Sequence, residues 1–186
     1  MTSTNSTLEH WNSLDLDSAA EAILPCNGSA VWATLMAYNR PFDTPHDLTC
    51  TADRVWQSLS EEDWQQAFDS HPRIGESHAK SATPESLAQS ATEQSTAQLT
   101  TDTANQLAAA NRAYEAKFNR IFIVCATGKS AEEILAILNH RLSNEPAAEL
   151  REAAEQQRQI TQIRLRKWLA SPTSQPAVPS PQNLSS

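Results

Sequence analysis

Apolar residues recur along this chain at helical spacing, in short blocks separated by prolines and polar clusters. Ser18-Ala19-Ala20-Glu21 is a capping-box signal that opens a first helix through Leu24, and Pro25 ends it. Ser29 can cap a second helix, with Val31, Trp32, Leu35 and Met36 on one face and a break at Arg40-Pro41-Phe42. Leu48, Ala52, Val55, Trp56 and Leu59 predict a third helix from about Asp47 to Leu59. Ser60 then reads as a cap, and Glu61, Glu62 and Asp63 place acidic charge where a helix N-terminus favours it. Trp64, Ala67 and Phe68 give that helix its apolar side. It ends at His71, because Pro72 pushes the residue before it out of the α region.

The second half continues in the same vein. After a loop from Ser77 to Thr83, Thr83-Pro84-Glu85 reads as a cap with proline in the first turn. The helix predicted from there to roughly Gln98 can bury little beyond Leu87 and Ala91, a polarity that suits an element lining a site. From Thr100 to Phe118, Leu107, Asn111, Tyr114 and Phe118 form a clear stripe. Ile121 to Ala126 is apolar on every side, and periodicity alone does not separate a buried extended segment from helix. Its β-branched content favours extended structure, and with no second convincing strand to pair with, an irregular buried segment is expected. Ser130-Ala131-Glu132-Glu133 is a second capping box, followed by Ile134, Leu135, Ile137, Leu138 and Leu142. Asn144-Glu145-Pro146 starts the last and longest helix, which carries Leu150, Ala153, Ile160, Ile163 and Trp168 to about Leu169.

The pattern predicts an all-α, single-domain compact bundle of about seven to nine helices over residues 1–170, with one short irregular apolar segment. Only three glycines in 186 residues agree with it, because sheets lean on glycine-containing turns. Residues 171–186 are rich in proline, serine and glutamine, lose the hydrophobic pattern, and read as a disordered tail.

Charge and cysteine content narrow the function classes. A net charge of −8 repels phosphate backbones, so nucleic acid is excluded as an expected partner. No apolar run approaches the roughly 20 residues a membrane span needs, and Met1 to Glu9 has no secretory pattern. The expected location is the cytoplasm, where Cys26, Cys50 and Cys125, odd in number and widely spaced, would stay reduced. There is no P-loop, G-x-G-x-x-G or G-x-S-x-G sequence.

Three places could carry chemistry. His71 titrates near neutrality and sits at a helix end, followed by Pro72-Arg73-Ile74-Gly75-Glu76; the alternative is an exposed histidine beside a capped helix. Ser90, Glu93 and Gln94 share one helical face, where a hydroxyl, a carboxylate and an amide could bind an imide or urea group; alone, this face also reads as solvated surface. Arg164 lies on a stripe with Ile160 and Trp168 that otherwise reads as core. Either its guanidinium is buried against a carboxylate, or its stem runs along the core edge with the head in water. Arg158 and Arg166 read as ordinary surface charge, and His10 and His46 as residues of a loose terminus and a proline-rich loop. A zinc site through His71, His78 and Glu76 has no further ligand at a recognised spacing.

In order and spacing, several pieces of this chain resemble the 2-oxo-4-hydroxy-4-carboxy-5-ureidoimidazoline (OHCU) decarboxylases of urate degradation. The pieces are Arg40-Pro41-Phe42, His71-Pro72-Arg73-Ile74-Gly75, Ser90-x-x-Glu93-Gln94, Lys117-Phe118 with Phe122 to Ala126, Arg141-Leu142-x-Asn144, and Ile160-x-x-Ile163-Arg164-Leu165. The resemblance runs from about Leu14 to Leu169. It implies an all-helical fold, usually a homodimer, with no metal or organic cofactor, acting on a small ureidoimidazoline. It places the catalytic histidine, glutamate and arginine on His71, Glu93 and Arg164. It places substrate contacts on Pro72, on Ser90 and Gln94, and on the backbone of Phe122, Ile123, Val124, Cys125 and Ala126. One departure is Phe118-Asn119-Arg120-Ile121, where family members often carry Phe-Gly-Phe or similar, a change that bears on the pocket wall. The function it implies is cofactor-independent decarboxylation to (S)-allantoin and CO2. A helical hydrolase or deaminase acting on a related ureide, and a non-catalytic helical adaptor, are the competing readings.

Overall fold

The structure, a computed structural model, describes residues 5–74 and 101–171. Among these are eight α-helices and no strand: α1 (Ser6–Ser13), α2 (Leu16–Ile23), α3 (Ala30–Tyr38), α4 (Pro45–Ser58), α5 (Glu61–Asp69), α6 (Thr101–Phe118), α7 (Ala131–Arg141) and α8 (Pro146–Ala170). A 3-10 turn at Leu24–Cys26 follows α2. The helix expected between Thr83 and Gln98 and the tail from residue 172 lie outside the described residues.

Most caps are where the sequence puts them. Ser29 accepts from Trp32 N–H, and Ser60 and Ser130 form full capping boxes with Asp63 and Glu133. The first capping box is a correction. The Asp15 carboxylate accepts from Ser18 N–H, so α2 begins at Leu16 and Ser18 lies in its first turn. Helix α1 was not expected, because its short sequence is mostly polar. It forms because Asn5 caps it and Leu8 and Trp11 are buried against the last helix, whose Leu169 carbonyl accepts from Asn5 Nδ2 at 2.9 Å. His10 therefore lies on a helix and not in a loose terminus. Thr44 caps α4 and Pro45 occupies its first turn, which puts His46 on a helix and not in a loop.

Helix α8 is the spine. It packs against α1, α4, α5 and the 3-10 turn, while α2 lies on α3 and α6 lies on α7. Two apolar cores result. The larger gathers side chains from α1 to α5 and α8, with Trp11, Trp32, Trp56 and Phe68 at its centre. The smaller joins α6 to α7 through Leu107, Tyr114, Phe118, Ile134 and Leu138.

Residues 121–126 run between these cores without helix or strand. Ile121, Ile123 and Cys125 enter the larger core, and Phe122, Val124 and Ala126 enter the smaller one. Alternating directions along the chain explain why the run is apolar throughout: both of its faces are buried. The turn into it needs a left-handed residue, and Asn119 takes φ 53°, a conformation asparagine tolerates better than most side chains.

Candidate functional site

Three elements converge on His71: the end of α5, the loop from Pro25 to Ser29, and the middle of α8. Helix α5 closes with Ser70 N–H on the Ala67 carbonyl and His71 N–H on the Phe68 carbonyl. Pro72 then turns the chain away, and both His71 and Pro72 are buried, His71 at 8% exposure. Arg73 fixes the outgoing chain through a bidentate pair with Glu115 of α6, at 2.5 and 2.8 Å.

On α8, Gln157, Thr161 and Arg164 are spaced i, i+4, i+7 and are all buried. Gln157 Oε1 lies 2.7 Å from His71 Nε2. Gln157 Nε2 donates to the Asn27 carbonyl at 3.1 Å and to Thr161 Oγ1 at 3.3 Å. Asn27 Nδ2 donates to Thr161 Oγ1 at 3.0 Å, and Asn27 Oδ1 accepts from Ser29 N–H at 3.1 Å. The loop carrying Asn27 and Ser29 turns through Gly28 at φ 98°, where a Cβ would stand 2.2 Å from Ser70 Oγ. A glycine is required there for backbone conformation and for closeness to the end of α5.

Arg164 is wholly buried, and its Nη1 donates to the Pro25 carbonyl at 3.2 Å. The head group is therefore buried and not held in water, and the contact described for it is to a backbone carbonyl. Burial, assisted by the Arg164 charge and opposed by the bond to Gln157, lowers the His71 pKa to about 3, so the ring is neutral at physiological pH. Burial likewise pushes the Cys26 thiol up to about 12 against the pull of Arg164. His71 and Arg164, 93 positions apart in the sequence, thus act on each other through space. Glu93, Ser90 and Gln94 lie outside the described residues, as do Glu76 and His78 of the zinc alternative. Among the described residues, no group of three or more His, Cys, Asp or Glu side chains could hold a metal ion. No described helix is long and apolar enough to cross a membrane.

The backbone of Phe122 to Ala126 is held by its carbonyls and by one amide. Arg141 Nη1 donates to the Ile123 carbonyl at 2.7 Å, Lys129 Nζ to the Cys125 carbonyl at 2.7 Å, and Cys125 N–H to Gln156 Oε1 at 2.9 Å. Arg141 is itself seated on the fully buried Glu149 carboxylate, which also accepts from Asn144 Nδ2 at 2.8 Å and from the Tyr114 hydroxyl. Burial and the bond to Glu149 push the Tyr114 hydroxyl well above its ordinary pKa.

Residues 12–166 match the family model described as OHCU decarboxylase. The chain belongs to the OHCU decarboxylase family. It is 37% identical over 145 residues to the uric acid degradation bifunctional protein TTL of Arabidopsis thaliana, covering 76% of this chain and 44% of that protein. It is 33% identical over 152 residues to the 2-oxo-4-hydroxy-4-carboxy-5-ureidoimidazoline decarboxylase of Amia calva, covering 81% of this chain and 83% of that one. Among solved structures, it resembles an OHCU decarboxylase crystallised in the presence of (S)-allantoin. The TM-score is 0.68, with 32% identity and coverage of 80% of this chain and 96% of that one.

Several pieces that carry the family resemblance prove to be scaffold. Arg40 donates to the carbonyls of Trp11, Leu14 and Ala37, clamping the α1–α2 junction. Lys117 ties α6 to the carbonyls of Leu142 and Asn144. Arg158, read as ordinary surface charge, instead joins α8 to α4 through Asp53 at 2.9 Å and also pairs with Glu155. Sequence reasoning missed Gln157, Thr161 and Asn27. Gln157 and Thr161 share the helical face of Arg164, but glutamine and threonine are equally at home on a solvated face, so nothing local marked them as buried.

Proposed function

We propose that this chain carries out the family reaction, decarboxylation of OHCU to (S)-allantoin and CO2 in urate degradation, at a site built around His71 and Arg164 with Glu93 as the third catalytic group. The observation that carries this reading is the buried pair of His71 and Arg164, in which a neutral imidazole and a guanidinium from distant parts of the chain share one desolvated region.

The chemistry asks little more of a protein. When the bond to the carboxylate breaks and CO2 leaves, the electron pair passes into the adjacent ring imine, whose nitrogen takes up a proton from solvent, and an enol forms. The enol hydroxyl then gives up its proton as the neighbouring ring carbon gains one, and one-sided delivery makes the product chiral. No electron sink beyond the substrate is needed. His71 hydrogen-bonds the hydroxyl and moves its proton as general acid–base, while Glu93 orients the imidazole or the ring. Arg164 positions a substrate oxygen, because a firm grip on the departing carboxylate would stabilise the ground state. Pro72, Ser90, Gln94 and the Phe122 to Ala126 backbone form the surrounding contacts. The working unit is proposed to be a homodimer, which sedimentation velocity would test.

The experiment feeds freshly made urate-oxidation product to the protein and follows chiral allantoin by circular dichroism. His71→Ala is expected to abolish stereospecific formation with the helical spectrum intact. Turnover near the wild-type rate in that variant would refute the role of His71.

A further inference from the structure

We infer that Gln157 is a positioning residue that fixes His71 in its Nε2–H tautomer, leaving Nδ1 as the ring atom that meets the substrate. The inference builds on the proposed decarboxylation, with His71 as the proton carrier.

The directions of the hydrogen bonds decide the tautomer. A backbone carbonyl can only accept, so the group 3.1 Å from the Asn27 carbonyl must be the Gln157 nitrogen. The amide oxygen therefore faces His71, 2.7 Å from Nε2, and it too can only accept. A neutral imidazole carries one proton, so that proton is on Nε2 and the Nδ1 lone pair is open. The rest of the chain of bonds is consistent with this orientation. Ser29 N–H fixes Asn27 Oδ1, which turns Asn27 Nδ2 toward Thr161 Oγ1, and that hydroxyl donates to the Gln157 carbonyl at 3.0 Å. Reversing the Gln157 amide would set two carbonyl oxygens against each other at one end and a nitrogen against the imidazole N–H at the other.

Chemical consequences follow from the surroundings. The charged group that the described elements bring to bear on His71 is Arg164 of α8, and it disfavours imidazolium as burial does. The ring therefore meets the substrate as a neutral acceptor with its lone pair aimed by Gln157. That state can take the enol hydroxyl proton, whereas an imidazolium could not. The Nδ1–H tautomer would present a donor to the substrate and leave Nε2 as acceptor against the amide oxygen.

Two measurements test the inference. Long-range proton–nitrogen correlation NMR on the wild-type protein at neutral pH should show His71 as the Nε2–H tautomer. Gln157→Leu, which keeps bulk but removes the acceptor, should lower kcat by roughly 10- to 100-fold while KM changes less than about threefold. It should also abolish the single tautomer. An Nδ1–H tautomer in the wild type, or a kcat for Gln157→Leu within about threefold of wild type, would each overturn it. If Gln157→Leu does not fold by circular dichroism, the wild-type tautomer decides. Failure of the wild-type protein to form allantoin would instead refute the proposed reaction, and the NMR result would still judge the relay.

Discussion

Acidification should destabilise this protein in part through His71, and the size of that contribution can be worked out in advance. In the unfolded chain His71 titrates near its ordinary 6.5, whereas in the folded protein burial, with the Arg164 charge, lowers its pKa to about 3. Between these values the unfolded state binds a proton that the folded state refuses, so stability falls as the pH falls. The contribution is complete above pH 6.5 and is lost progressively down to about 3. At roughly 1.4 kcal/mol per pH unit, lowering the pH to about 4.5 removes on the order of 3 kcal/mol. Urea denaturation at about pH 7.5 and 4.5 measures it, with His71→Gln as the reference because glutamine keeps a donor toward Gln157 and cannot titrate. Carboxylates elsewhere titrate alike in both proteins and cancel in the difference. The stability of the variant relative to wild type should therefore rise by about 3 kcal/mol on acidification. A change below about 1 kcal/mol would show that His71 is not buried as a neutral ring.

Other substitutions probe the supports of the site. Gly28→Ala should lower stability by about 1–3 kcal/mol in thermal or urea unfolding, because φ 98° is strained for alanine and the new methyl group meets Ser70. Glu149→Gln leaves Arg141 buried without its counter-charge and should cost about 3–5 kcal/mol, read as a lower urea midpoint with an unchanged slope. Arg164→Met, close in length and uncharged, should preserve the helical spectrum yet reduce kcat/KM for allantoin formation by at least about 100-fold. Asn119→Val should destabilise more than Asn119→Gly, since a β-branched residue resists φ 53° and glycine accepts it.

The fold was legible wherever local chemistry is strong. Ser29, Ser60 and Ser130 cap helices because a short hydroxyl side chain meets a free backbone donor regardless of tertiary surroundings. Helix α1 was not legible, because Leu8 and Trp11 are its only buried residues and its stability comes from α8, more than 150 residues away. Ser18 reads as the cap of α2, but Asp15, three residues earlier, takes that place, because its carboxylate reaches the Ser18 N–H. At the site, His71 stood out through its proline and Arg164 through its place on an apolar stripe. Gln157 did not, since a glutamine on a helix rich in glutamine carries no local mark of burial. What distinguishes it is a loop 130 positions earlier, whose Asn27 carbonyl takes its amide nitrogen.

The pieces that reveal the family hold both the residues that would do its chemistry and the cations that tie the scaffold together. Arg40 and Lys117 hold helices by their terminal carbonyls. Arg141, seated on Glu149, holds the apolar segment by its Ile123 carbonyl. Each is a long cation satisfied mainly by backbone oxygen or by one buried carboxylate, which is how an all-helical protein poor in glycine can fix non-helical chain without a sheet. Fixing that segment matters because its alternate side chains belong to different cores: a shift of one residue would exchange Phe122 for Ile123 and disrupt both. The same tether would hold its backbone still for a ring-shaped substrate. On this reasoning Arg141→Met combined with Glu149→Leu, which removes the buried charges together, should recover much of the stability lost in Glu149→Gln but not substrate affinity, because the Ile123 carbonyl would have lost its tether.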